Sequence, residues 1–223
     1  GIGFAKLNHQ VSIVDLNDDL IKNLNENRPP FYEPELVDYL NDSNIRNNLF
    51  FSTSYQKSIN ENTDIVFVCV QTPTDPDTGK TKTDYISSAL TELKKIESFN
   101  FIICIKSTIK ASLVEKISNE IDLDYKKIIF NPEFLREGSA FYDFFNPDRI
   151  VIGGSDQKGL NQCTELYESF DCEKIITDSN SSQMIKYLSN TYLAMRLSFV
   201  NETYRLVSEF NGNPEEVLNA IGK

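Results

Sequence analysis

The chain has 223 residues, 40% of them hydrophobic and 25% charged, which is enough to bury a sizeable core in one or two domains and excludes a disordered chain. Its 33 acidic against 22 basic residues give a net charge of -11, which repels phosphate backbones and anionic membranes and argues against nucleic acid as a partner. Four cysteines without a CxxC pair, a single histidine (His9) and no apolar run of about 18 residues argue against a metal centre and a membrane span. A small anionic ligand remains compatible, because backbone N–H groups and one or two local cations can bind it on an acidic protein. The start of the chain has no charged n-region followed by an apolar h-region, so the chain reads as cytoplasmic.

Short β-branched runs predict strands at 11–15, 64–70, 101–106, 127–130, 149–153 and 174–177, with helical spacing between most of them. The run DIVFVCV at 64–70 is apolar almost without alternation, the expected pattern for a parallel strand covered on both faces. Strands alternating with helices imply βαβ units and an α/β, doubly wound parallel sheet. From 179 to 210 the pattern changes: Met184, Leu188, Tyr192, Met195, Phe199, Val200, Leu206 and Val207 recur at roughly helical intervals, and no proline interrupts them. One long helix is expected, with a break near Ser198 as the alternative. A helix of about 30 residues rises about 45 Å, longer than a small domain is wide, so it should span a domain junction or a subunit interface. Gly212 and Pro214 read as its stop and the start of the next helix. The boundaries expected are 1–178 for the sheet domain and 179–223 for the helical region.

Ligands of open α/β sheets bind at the carboxyl edge of the strands, so the residues following each strand are the candidates. Asp15 ends the first predicted strand, where a carboxylate can accept from ribose hydroxyls; the alternative is an ordinary strand-end aspartate. Thr72 and Pro73 open the turn-rich loop 72–83, and they read either as pocket lining or as loop punctuation. Lys106, Ser107 and Thr108 offer a cation and two hydroxyls at the next strand end, or a cap for the helix that follows. Glu133, Arg136 and Glu137 come after the strand at 127–130, in the same topological position. Two nearby carboxylates can serve as a base and a water-positioning group, and the alternative is a solvated loop. Lys186 and Asn190 are four apart and share a face if their segment is helical. They could donate to an oxyanion or simply line a solvated face.

Together the stretches NHQVSIVDLN, FYEPEL with Glu33-Pro34, VQTPT, KSTIK, NPEFLREGSAFYDFFNPDRIVIGG and IKYLSNTYLAMRLSFVNE resemble the UDP-glucose/GDP-mannose dehydrogenase family, and within it the UDP-glucose 6-dehydrogenases. They occur in family order and cover essentially the whole chain. The resemblance implies a Rossmann-like NAD-binding domain followed by the family's central helix, which joins two domains and builds a homodimer. It implies oxidation of a UDP-sugar at its C6 alcohol to a carboxylate, with two NAD+, through an aldehyde and a cysteine-bound thioester. By the same resemblance Asp15 holds the adenosine ribose, and Thr72, Pro73 and Thr108 line the cofactor site. Thr108, Glu133 and Glu137 handle water and protons, with Glu137 the leading base for thioester hydrolysis. Lys186 and Asn190 stabilise oxyanions, while Phe134, Leu135 and Arg136 lie along the substrate.

Several features depart from the family pattern. The glycine fingerprint GxGxxG is missing, since Gly1-Ile2-Gly3 has no strand before it and Lys6 occupies the third glycine position. The family's cysteine nucleophile falls beyond Lys223, and the resemblance gives its role to none of Cys69, Cys104, Cys163 and Cys172. Gln183 stands where the family usually has glutamate. In the strand order 3-2-1-4-5-6 the missing first strand is central, so its neighbours are expected to present unpaired inner edges. Each buried ladder bond lost costs about 1–3 kcal/mol against a typical stability of about 5–15 kcal/mol, and a piece of a longer protein is therefore expected. A second expectation, from another class, is a non-catalytic nucleotide-binding or dimerisation module.

Overall fold

The computed structural model describes residues 1–96 and 100–222. Its contacts divide the chain into two compact units, Gly1–Gln183 and Met184–Lys223. The first unit carries the strands. In it, β1 (Val11–Val14) pairs in parallel with β2 (Leu49–Ser52) as a separate two-stranded sheet. The remaining strands, β3 (Ile65–Val68), β4 (Ile102–Ile105), β5 (Ile129–Phe130), β6 (Arg149–Gly153) and β7 (Glu173–Thr177), form a five-stranded sheet in that order.

No ladder joins β1 to β3 among the described residues, which is the split expected where a central strand is absent. The apolar run at 64–70 is accordingly only half-buried over most of β3, because β3 is the edge of its sheet. It is β4, paired on both sides, that is buried at every position. Its alternate residues feed two cores. Ile103 and Ile105 pack with α6 (Asp84–Lys94) and α7 (Ala111–Glu120), whereas Ile102 and Cys104 pack with α9 (Gln157–Glu165), Phe4 and Tyr167. A third core gathers Leu36 and Leu40 of α3 (Leu36–Asn41) and Ile45 of α4 (Ser43–Arg46) with Leu49 and Phe51 of β2, Ala5 of α1 (Ile2–Lys6), and Ile21 and Leu24 of α2 (Asp18–Asn25), and the short α5 (Tyr55–Ser58) follows β2.

Two features differ from the sequence expectation. Strand β2 belongs to none of the predicted runs, and its register Val11↔Leu49 to Val14↔Ser52 makes it the partner of the first predicted strand. The sheet is also not wholly parallel, since β5 meets β6 antiparallel through the single pair Phe130↔Gly153. The chain leaves β5 at its carboxyl end and forms α8 (Ala140–Phe145), which packs on α1 and α3 rather than crossing the sheet. It therefore re-enters from the same edge, and β6 and β7 run opposite to the others.

Helix α10 (Ser179–Glu209) passes through Ser198 unbroken. It ends in a Schellman turn in which Gly212 N donates to Val207 O (2.9 Å) and Asn211 N to Ser208 O (3.0 Å). The left-handed residue is Asn211, at φ 57°, rather than Gly212. Pro214 then opens α11 (Pro214–Ile221) behind the Asn213 cap. No described helix is long and apolar enough to cross a membrane.

Candidate functional site

Hydrogen bonds tie the ends of β3, β4 and β5 to one another. Thr72 Oγ1, past β3, donates to Thr108 O, past β4, at 2.8 Å. Ser107 Oγ donates to Val70 O at 2.6 Å, and a longer contact reaches Val68 O. Lys106 Nζ crosses to the tip of β5, donating to Asn131 Oδ1 (3.0 Å) and Asn131 O (3.3 Å). Asn131 is 2% exposed, accepts from Tyr167 Oη (2.5 Å) and donates through Nδ2 to Val151 O (2.9 Å). Of the trio at 106–108, the cation and the serine hydroxyl thus join strands, and Thr108, half-buried like Lys106, lies beside them at the edge. The helix-cap alternative is not what forms, because Lys110 is the N-cap of α7 and no side chain caps it.

The loop 131–139 leaves this junction. Leu135 N donates to Glu133 Oε2 at 2.6 Å, so one carboxylate shapes the loop backbone while Glu137 is exposed. Phe134 is half-buried and lies under the Arg149 guanidinium at 4.4 Å, and Leu135 is exposed. Arg136 is gripped by Asp143 of α8: its Nε and Nη2 donate at 3.0 and 2.6 Å, and its backbone N donates at 2.9 Å. Hydrogen bonding from that guanidinium outweighs the opposing effect of burial and holds the Asp143 carboxyl below its ordinary range. Glu33, 8% exposed, reaches this loop from far away in sequence and accepts from Gly138 N (2.9 Å) and Ala140 N (2.7 Å).

At the tip of β1, Asp15 is exposed and accepts from Asn17 N through one oxygen at 2.9 Å. Asn17 in turn caps α2 by accepting from Leu20 N. The second Asp15 oxygen has no donor among the described residues, and an open strand-end carboxylate fits a ribose diol. Pro73 is exposed beside Thr72, and its carbonyl accepts from Lys82 N to close the loop that follows. Lys186 and Asn190 lie one turn apart on α10, the first buried and the second exposed. Gln183, 2% exposed, accepts from Ile109 N (3.3 Å), while its Nε2 has no hydrogen-bond partner among the described residues.

Asn131, Asp143, Tyr167 and the reach of Glu33 were not among the residues expected from sequence. Their partners lie between 7 and 107 residues away, beyond any local pattern. No group of three or more metal-capable side chains occurs among the described residues.

Comparison with known proteins agrees with this architecture. Residues 180–223 match the UDP-glucose/GDP-mannose dehydrogenase family, central domain. UDP-glucose 6-dehydrogenase YwqF of Bacillus subtilis is 32% identical over 231 residues, covering 100% of this chain and 51% of that protein. A UDP-glucose dehydrogenase from Pyrobaculum islandicum superposes with a TM-score of 0.89 at 33% identity over 99% of this chain and 52% of that one. A GDP-mannose dehydrogenase from Pseudomonas aeruginosa superposes with a TM-score of 0.91 at 26% identity, again covering 99% and 52%. The chain spans about half the length of the curated relatives it matches. Since residues 1–171 match that family's NAD binding domain, the chain belongs to the UDP-glucose/GDP-mannose dehydrogenase family, with its cofactor domain built on the two sheets described above.

Proposed function

We propose that this chain is the cofactor-binding part of an enzyme that oxidises the C6 alcohol of a UDP-sugar, UDP-glucose to UDP-glucuronate, through an aldehyde and a thioester. NAD supplies the hydride acceptor when bound. Asp15 accepts from the adenosine ribose through its open oxygen, and Thr72, Pro73 and Thr108 line the rest of the cofactor site. Thr108 and Glu133 orient water, and Glu137 takes its proton during thioester hydrolysis. Lys186 and Asn190 donate to the oxyanions, while Phe134, Leu135 and Arg136 flank the sugar nucleotide. Cys104 and Cys163 are closed inside the core, so neither serves as the thioester thiol.

The observation that supports this reading is the strand-end junction: the Thr72–Thr108 and Lys106–Asn131 bonds deliver the carboxylate-bearing loop 131–139 to the edge where Thr108 sits. Converting an alcohol to a carboxylate removes two hydrides and takes up one water, so each sugar consumes two NAD+. The full-length protein, given NAD+ with UDP-glucose, UDP-N-acetyl sugars or GDP-mannose in turn, should form two NADH per UDP-glucose. NAD+ binding without NADH from any of them would overturn the enzyme and leave the non-catalytic module. A homodimer through α10 belongs to either reading and is supported by its exposed Leu188, Tyr192, Met195, Phe199 and Leu206. Sedimentation of the full-length protein tests it.

A further inference from the structure

Glu33 belongs to neither sheet and to none of the strand ends. It lies in the segment between α2 and α3, yet its carboxylate is buried against a loop more than 100 residues downstream, accepting from Gly138 N through Oε2 and from Ala140 N through Oε1. Both donors are backbone groups that nothing local satisfies. Gly138 sits in the left-handed region at φ 80°, and Ala140 is the first residue of α8, whose N-cap Ser139 makes no side-chain cap bond. Two charge-assisted bonds from one rigid carboxylate fix position and orientation together. The same region is held by a ring contact, Tyr39 of α3 against Phe141 of α8 at 4.7 Å between centroids. Gly3 of α1 also lies so close to α8 that a Cβ there would come within 2.4 Å of the Phe144 ring.

We propose that Glu33 is a positioning residue, clamping 138–140 from the β1–β2 half of the molecule so that loop 131–139 is held at one end by Asn131 and at the other by Glu33. Its consequence for chemistry rests on the reading of Glu133 and Glu137 as the groups that handle water and protons. Asn131 anchors where the loop leaves β5, and Glu33 anchors where it enters α8. Without Glu33 that end of the loop keeps only the Arg136–Asp143 pair and the ring contacts of α8, which leave the backbone at 138–140 free to shift.

The test uses the full-length protein with Glu33→Gln, which keeps the shape but turns one acceptor into a donor facing a backbone N–H, and Glu33→Asp, which keeps the charge but falls one methylene short. Native-state hydrogen exchange at Gly138 and Ala140 should quicken roughly tenfold or more in Glu33→Gln and by less in Glu33→Asp, with Ile103 and Ile105 of β4 unchanged. Turnover of UDP-glucose should fall by up to about 10²-fold with the KM for NAD+ unaltered, since a misplaced reacting group costs rate rather than cofactor binding. Unchanged exchange at Gly138 and Ala140, or equal quickening in β4, would overturn the clamp. Quickened exchange in the loop with undiminished turnover would leave the clamp standing and refute the catalytic reading of the loop.

Discussion

At the residue scale, Asn131 shows how one amide can join a site. It accepts from Lys106 and Tyr167 and donates to Val151, connecting β4, β5, β6 and the segment after α9. Asn131→Ala removes the acceptor of Tyr167 Oη and a donor to Val151 O, while Lys106 keeps the carbonyl of residue 131, and each group left buried and unpaired costs about 1–3 kcal/mol. The urea midpoint should drop with an unchanged m-value, and a midpoint equal to wild type would mean that water replaces the amide at no cost. Asp143 gives a pH signature. Its carboxyl titrates below the usual range because Arg136 donates to it, so its contribution to stability is complete above the unfolded carboxylate value of about 3.9. That contribution is lost as pH falls through the lower folded value. Midpoints measured down to about pH 2 should therefore fall less steeply below about pH 4 for Asp143→Asn than for wild type. Equal slopes would remove the Arg136 pair as a source of acid sensitivity.

At the element scale, close packing of helix against strand decides what each position tolerates. A Cβ on Gly153, at the end of β6, would meet Ser182 Oγ at 2.3 Å, Ser182 Cβ at 2.5 Å and Asp178 O at 2.7 Å. The first turn of α10 thus sits directly on the strand. Gly153→Ala should cost about 1–3 kcal/mol by forcing these backbones apart, read as a lower thermal midpoint. Gly79, at φ 65° with nothing near its Cβ position, should respond only to the backbone strain of a non-glycine residue there. Local patterns carried most elements, and the Ser179–Glu209 helix followed from its 3.6-residue period and lack of proline. Strand β2 escaped because Leu-Phe-Phe-Ser is too short a run to declare a period. Its alternation, with Leu49 and Phe51 buried and Phe50 exposed, becomes evident only against β1.

At the scale of the whole first unit, the two sheets rest on different foundations. Strand β4 feeds two cores and is buried throughout, whereas β2 packs in one smaller core, β1 reaches a second only through Val11, and no ladder joins either to β3 among the described residues. Hydrogen exchange should therefore be slowest in β4, with β1 and β2 opening at lower free energy. If β1 amides are protected as well as those of Ile103 and Ile105, the two sheets unfold as one. Under the proposed role of Asp15, NAD+ should slow exchange in β1 by the factor 1 + [NAD+]/Kd, because a ligand that binds only the folded state stabilises it.

The sequence by itself determined the α/β class, the carboxyl-edge location of Thr72, Thr108 and Glu133, and a long helical segment over 179–210, because hydrophobic period and strand-end chemistry are local properties of the chain. Only the tertiary structure decided that Lys106 and Ser107 bond across the strand tips, that β5 and β6 run antiparallel, that the long helix passes through Ser198 without a break, and that Glu33 and Asp143 reach the loop at 131–139. Those outcomes depend on which buried donor meets which acceptor once distant segments are in contact, and a buried polar group takes whichever partner the packing brings within reach.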